Sequence, residues 1–84
     1  MKEKENLYIT IVSPERTLYA AEADSISVPG EKGRFEVLRG HAPIISSLLP
    51  GKIFVSGTDK LELSISGGFI EVCENEVSLC VELN

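Results

Sequence analysis

The stretch Leu61-Glu62-Leu63-Ser64-Ile65-Ser66-Gly67-Gly68-Phe69-Ile70-Glu71-Val72-Cys73-Glu74-Asn75-Glu76-Val77-Ser78-Leu79-Cys80-Val81-Glu82-Leu83 decides the fold. From Leu61 to Ser66 apolar and polar residues alternate without exception, the period-two signature of a half-buried strand. Gly67-Gly68 then marks a bulge or a close backbone approach. Phe69 to Cys73 pairs with Val77 to Leu83 across Glu74-Asn75, and Asn75 tolerates the left-handed conformation that a tight turn wants. With Glu74-Asn75 as a two-residue loop, Val72 faces Val77 and Ile70 faces Leu79, so four apolar side chains share one face and the register supports itself. In that register Cys73 lies opposite Glu76 and Cys80 opposite Phe69. The sulfurs are then roughly 13 Å apart on a ladder rising about 3.3 Å per residue, too far for a disulfide.

The same patterns continue outward. Lys52 to Ser56 joins Leu61 to Ser66 through Gly57-Thr58-Asp59-Lys60 as a second hairpin. At the N-terminal end Leu7, Ile9 and Ile11 alternate with Tyr8, Thr10 and Val12, giving a first strand over 7–12 that Ser13-Pro14-Glu15 ends, because proline cannot donate to a ladder. Small and β-branched residues predict a second strand over 22–28, closed by a turn at Pro29-Gly30. Glu31-Lys32-Gly33 reads as a polar tip, Phe35 to Leu38 as a short strand cut off by Arg39-Gly40-His41-Ala42-Pro43, and Ile44 to Leu49 as an apolar strand closed by Pro50-Gly51. Short strands, a turn signal every 8 to 12 residues or so, and no sustained helical period predict an all-β chain: an antiparallel β-sandwich of two packed sheets with about 8–10 short strands. It forms one domain over residues 1–84, with 1–6 a charged N-terminal tail.

Composition narrows the function classes. The 84 residues are 43% hydrophobic and 25% charged, an ordinary globular balance with material for a single thin core. The formal net charge of −5 disfavours nucleic acid and anionic lipid as partners. No apolar run approaches the roughly 18 to 20 residues that cross a bilayer, and the start of the chain leads straight into a strand pattern where a signal peptide would have its apolar core. Two cysteines and the single His41 are too few for a disulfide scaffold or a standard zinc cluster, which fits a reducing, cytoplasmic setting.

Catalytic motifs are weak. His41 sits beside Pro43 in a loop with no nucleophile-elbow pattern to bring a serine to it. Gly30-Glu31-Lys32-Gly33 lacks the Gly-Lys-Ser/Thr ending of a phosphate loop, and Gly67-Gly68 precedes a strand where a dinucleotide fingerprint needs a helix. The carboxylates are scattered over polar faces. One alternative concerns Lys60, because Asp59-Lys60 at a hairpin tip resembles the modified lysine of lipoyl and biotinyl carrier domains, although only that dipeptide supports it.

The segment Gly33-Arg34-Phe35-Glu36-Val37-Leu38-Arg39-Gly40-His41-Ala42-Pro43-Ile44-Ile45 resembles the signature loop of the epsilon subunit of bacterial and chloroplast ATP synthase. Val12-Ser13-Pro14-Glu15, Val28-Pro29-Gly30, Leu49-Pro50-Gly51 and Ser66-Gly67-Gly68-Phe69-Ile70-Glu71-Val72 follow the same family pattern in order, so the resemblance spans about residues 7–83. It implies a β-sandwich that is not an enzyme, binds no cofactor or metal, clasps the gamma subunit of the central stalk and rests on the ring of c subunits, as a peripheral subunit on the cytoplasmic face of a bacterial membrane. By that resemblance Ser13, His41, Ala42, Pro43, Gly67, Gly68 and Phe69 would contact gamma, and Glu31, Lys32, Arg34 and Arg39 the c-ring. Arg34, Glu36 and Arg39 depart from the family, which often has an acid, a glycine and a proline there. The chain reads as a short form, since it stops where the family usually adds a hairpin of two helices.

Overall fold

Eight strands and no helix make up the described part of the computed structural model, residues 6–57 and 60–84. In chain order they are β1 (Leu7–Val12), β2 (Thr17–Ala23), β3 (Ser25–Gly30), β4 (Gly33–Leu38), β5 (Ile44–Leu48), β6 (Gly51–Ser56), β7 (Leu61–Cys73) and β8 (Glu76–Leu83). All but one residue of the charged tail, and Thr58-Asp59 of the β6–β7 connection, lie outside the described residues.

β7 makes the sandwich. Its first half pairs with β6 from Val55↔Leu61 to Gly51↔Ile65, and its second half is flanked by β5 and β8. One layer is therefore β4-β3-β6 with the first half of β7, and the other is β2-β1-β8 with the second half of β7 and then β5. The strand changes layers at Gly67-Gly68, where the β7–β8 register shifts between Ile65 and Gly67. Gly68 has φ +149°, and a Cβ there would drive into the carbonyl oxygen of Cys80. Glycine alone lets the β8 backbone come that close. A seam ties the layers again on the far side of β5: Leu48 pairs with both Gly30 and Gly68, and the Leu49 N–H donates to the Pro29 carbonyl at 2.8 Å.

Alternation along each strand sends one set of side chains into a single shared core. Leu7, Ile9 and Ile11 of β1 and Val77, Leu79 and Val81 of β8 meet Ile26, Val28, Val37, Ile53 and Val55 of the opposite layer, all buried. Each such side chain contributes roughly 1.5–3 kcal/mol relative to exposure. The β7–β8 hairpin has the register read from the sequence, Val72↔Val77, Ile70↔Leu79, Cys73↔Glu76 and Phe69↔Cys80. Glu74 and Asn75 both take positive φ, 51° and 65°, as a type I′ turn requires. Cys73 and Cys80 are free and exposed.

Two expectations fail. The strand predicted over 22–28 is two strands: β2 pairs with β1 in one layer, β3 pairs with β6 in the other, and the chain crosses at Asp24, whose N–H donates to the Ser56 carbonyl at 2.8 Å. The alternation slips phase at this corner, with Ala23 buried before it and Ile26 and Val28 after it; the small alanines conceal the slip. Pro29-Gly30 is no turn either. Both residues complete β3, paired with Arg34 and Gly33, and the chain reverses at Glu31-Lys32. The ladders are antiparallel except β1–β8, which runs parallel from Tyr8↔Glu76 to Val12↔Cys80 because the β1–β2 hairpin lies beside the β7–β8 hairpin.

Candidate functional site

The residues singled out in the sequence gather at the two ends of the β2-β1-β8-β7-β5 layer. At the first end Ser13, Gly67, Gly68 and Phe69 line one open cavity of about 500 Å³, together with Val12, Cys80 and Glu82. Ser13 holds the β1–β2 turn that forms one wall: its Oγ accepts from the backbone N–H of Glu15 and of Arg16, both at 3.3 Å, and its own N–H donates to the Arg16 carbonyl at 2.8 Å. Phe69 points outward, half exposed, between Ser47 and Cys80. The exposed Glu31-Lys32 tip reaches this same end through the seam, with the Glu31 N–H donating to the Ser47 carbonyl at 3.1 Å.

The second end holds Arg39, Gly40, His41, Ala42 and Pro43. The His41 N–H donates to the Leu38 carbonyl at 3.1 Å, closing a turn, and its Nδ1 lies 2.7 Å from the Ala42 carbonyl oxygen, which fits a tautomer with the proton on Nδ1. Asn75 anchors the loop. Its Oδ1 accepts from the Gly40 N–H at 2.8 Å, while its carbonyl accepts from the Tyr8 N–H at 2.9 Å. Sequence reasoning took Asn75 for a turn former and missed this second role. The available signal was a left-handed asparagine whose side-chain acceptor the turn itself does not use.

From Gly68 to Cys73 the strand advances about 17 Å at about 3.3 Å per residue, so the two ends are well separated. The seven residues expected to meet one partner are thus divided between them, four at the first end and three at the second. The other expected set divides as well: Glu31, Lys32 and Arg34 belong with the hairpin tip, whereas Arg39 follows the opposite end of β4 beside Gly40. Ser13 and His41 lie at opposite ends, so no serine–histidine pair forms between them. Among the described residues no group of three or more His, Cys, Asp or Glu side chains is gathered in a metal-ligand arrangement.

Between the ends runs the outer surface of the layer. Ile45, 74% exposed, with Phe69 and Tyr8 forms apolar contact points, and Glu22, Glu71 and Glu76 stand among them. Exposed apolar side chains set in an acidic, hydrogen-bonded frame suit contact with another protein. Lys60 is exposed just before β7, and its neighbour Asp59 lies outside the described residues.

The chain is a two-layer β-sandwich with its distinctive loops at both rims and exposed apolar side chains on one outer face. The chain belongs to the family of ATP synthase delta/epsilon chain β-sandwich domains, whose model matches residues 6–83. Among curated relatives, the ATP synthase epsilon chain of Leptospira borgpetersenii serovar Hardjo-bovis is 42% identical over 77 residues, covering 90% of this chain and 61% of that one. The epsilon chain of Chlorobaculum tepidum is 40% identical over 76 residues, covering 88% and 86%. The chain thus spans about three fifths of the Leptospira protein and most of the Chlorobaculum one. In fold it is similar to a chain of the Euglena gracilis mitochondrial ATP synthase in its OSCP/F1/c-ring structure, with TM-score 0.86, 24% identity and coverage of 96% of this chain and 53% of that one. A chain of the Tetrahymena thermophila central stalk and c-ring gives TM-score 0.80 at 17% identity, covering 96% and 66%.

Proposed function

We propose that this chain works in the central stalk of a bacterial ATP synthase, where its β-sandwich couples gamma to the c-ring with no bond-making step of its own. The family match over nearly the whole chain carries this reading. The mechanism is mechanical. A coupler between a rotating ring and a shaft must deform little under load, and two layers sharing β7 around one close-packed core resist shear between them. Specific contact falls to the rims.

Gamma would lie along the outer face of the β2-β1-β8-β7-β5 layer. Only a partner of that length meets Ser13, Gly67, Gly68 and Phe69 at one end and His41, Ala42 and Pro43 at the other. The exposed Glu31-Lys32 tip would face the polar loops of the c-ring. Such a subunit sits on the cytoplasmic face of the membrane as a peripheral component. Purification of the chain with gamma tests the assignment: a defined stoichiometric complex is expected, weakened by Phe69→Ala and by His41→Ala. Failure of the two folded proteins to associate refutes it.

A further inference from the structure

The β3–β4 hairpin is an edge element, since among the described residues β4 pairs with β3 alone. Its support from β6 ends early, and beyond that point β5 holds β3 only through the seam: Gly30 pairs with Leu48, the Leu49 N–H donates to the Pro29 carbonyl and the Glu31 N–H donates to the Ser47 carbonyl. The β3–β6 ladder runs from Ser25↔Ser56 to Ser27↔Phe54 and stops. Continued two residues further, that register would set the buried Pro29 opposite Lys52, and proline has no N–H to give the Lys52 carbonyl.

Arg34 fills the gap. It stands on β4 opposite Pro29, and its side chain lies across β3 toward β6. Nη1 donates to Ser27 Oγ at 2.9 Å, Nη2 donates to the Lys52 carbonyl at 2.6 Å, and the guanidinium carbon sits 5.3 Å from the centre of the Phe54 ring. One side chain therefore binds three strands together near the Glu31-Lys32 tip. The planar fork suits the task, because two acceptors and a ring face are met at once, which a single ammonium group cannot do.

We propose that Arg34 is a positioning residue: it stiffens the hairpin that presents Glu31 and Lys32, and does not itself touch the partner. This rests on the reading of that tip as the c-ring contact, and it reassigns Arg34 from contact to support.

Two measurements test it. In the full chain, amide hydrogen exchange at Glu31 and Gly33 is expected to rise about tenfold in Arg34→Ala and less in Arg34→Lys, with β7–β8 core amides unchanged. Unchanged exchange at the tip overturns the proposal. Binding of the gamma complex to purified c-ring at several salt concentrations separates support from contact. Ser27→Ala, which keeps the arginine charge, is expected to weaken binding in the same direction as Arg34→Ala, and neither is expected to alter the salt dependence. A reduced salt dependence in Arg34→Ala with Ser27→Ala silent marks a direct ion pair and overturns it. If Lys32→Glu leaves ring binding intact while Arg34→Ala loosens the tip, the ring reading fails and the grip of Arg34 on the hairpin stands.

Discussion

Replacing Gly68 by alanine attacks the point where β7 passes between layers. The new methyl would meet the Cys80 carbonyl oxygen and lie 2.8 Å from Val81 Cα, at φ +149°, a conformation L residues rarely adopt. The backbone strain alone costs about 1–3 kcal/mol. Moving β8 away loosens the Gly68↔Val81 pairing and the packing of buried Val81, at about 0.5–1.5 kcal/mol per hydrogen bond disturbed. The total is about 3–5 kcal/mol, a large part of the roughly 4–12 kcal/mol expected for a domain this size. At about 4–8 °C per kcal/mol, the melting temperature should fall by roughly 12–40 °C. Gly67→Ala is the control: the nearest atom to its added methyl is 3.8 Å away, so a change within about 1 kcal/mol is expected. Thermal and urea unfolding followed by circular dichroism read both variants. A Gly68→Ala variant within about 0.5 kcal/mol of the parent, or a Gly67→Ala variant equally damaged, refutes the argument that close approach at Gly68 forms the layer switch.

Further outcomes follow from the same geometry. Asn75→Gly keeps the positive φ and removes the Gly40 hydrogen bond, so stability should fall by about 0.5–1.5 kcal/mol while amide exchange at Gly40 and gamma dissociation both speed up. Leu79→Ala empties a fully enclosed core position and should cost about 2–5 kcal/mol in urea unfolding. Phe69→Ala, on the outer face, should change stability by under about 1 kcal/mol while weakening the gamma complex, measured by titration calorimetry. Lys52→Ala breaks a 2.7 Å ion pair with Glu62 in which both side chains are more than half exposed, and should shift stability by no more than about 1 kcal/mol.

Local structure was legible residue by residue. Alternation over Leu61–Ser66 and the turn at Glu74-Asn75 specified the β7–β8 hairpin and its register, because a period-two pattern admits only one phase that buries Ile70, Val72, Val77 and Leu79. The candidate rims were legible as loops, through Ser13-Pro14, Arg39 to Pro43 and Gly67-Gly68, since proline and glycine act on the chain within a residue or two. The corner at Asp24 was not, for alanines leave too weak an alternation to reveal a phase slip.

Which loops become neighbours was decided by tertiary structure alone. Nothing near Ser13 in the chain points to Gly68, and nothing near Gly40 points to Asn75; they meet because two hairpins lie side by side in parallel and β5 is held at the seam between layers. Arg34 shows the same division. Its charge stands in the sequence, but its role depends on β6 bringing the Lys52 carbonyl, 18 residues on in the chain, within 2.6 Å of the guanidinium. Hydrogen bonding and steric preference act locally, whereas strand order is settled by how a whole chain can bury one apolar core, and that condition is shared by all eight strands at once.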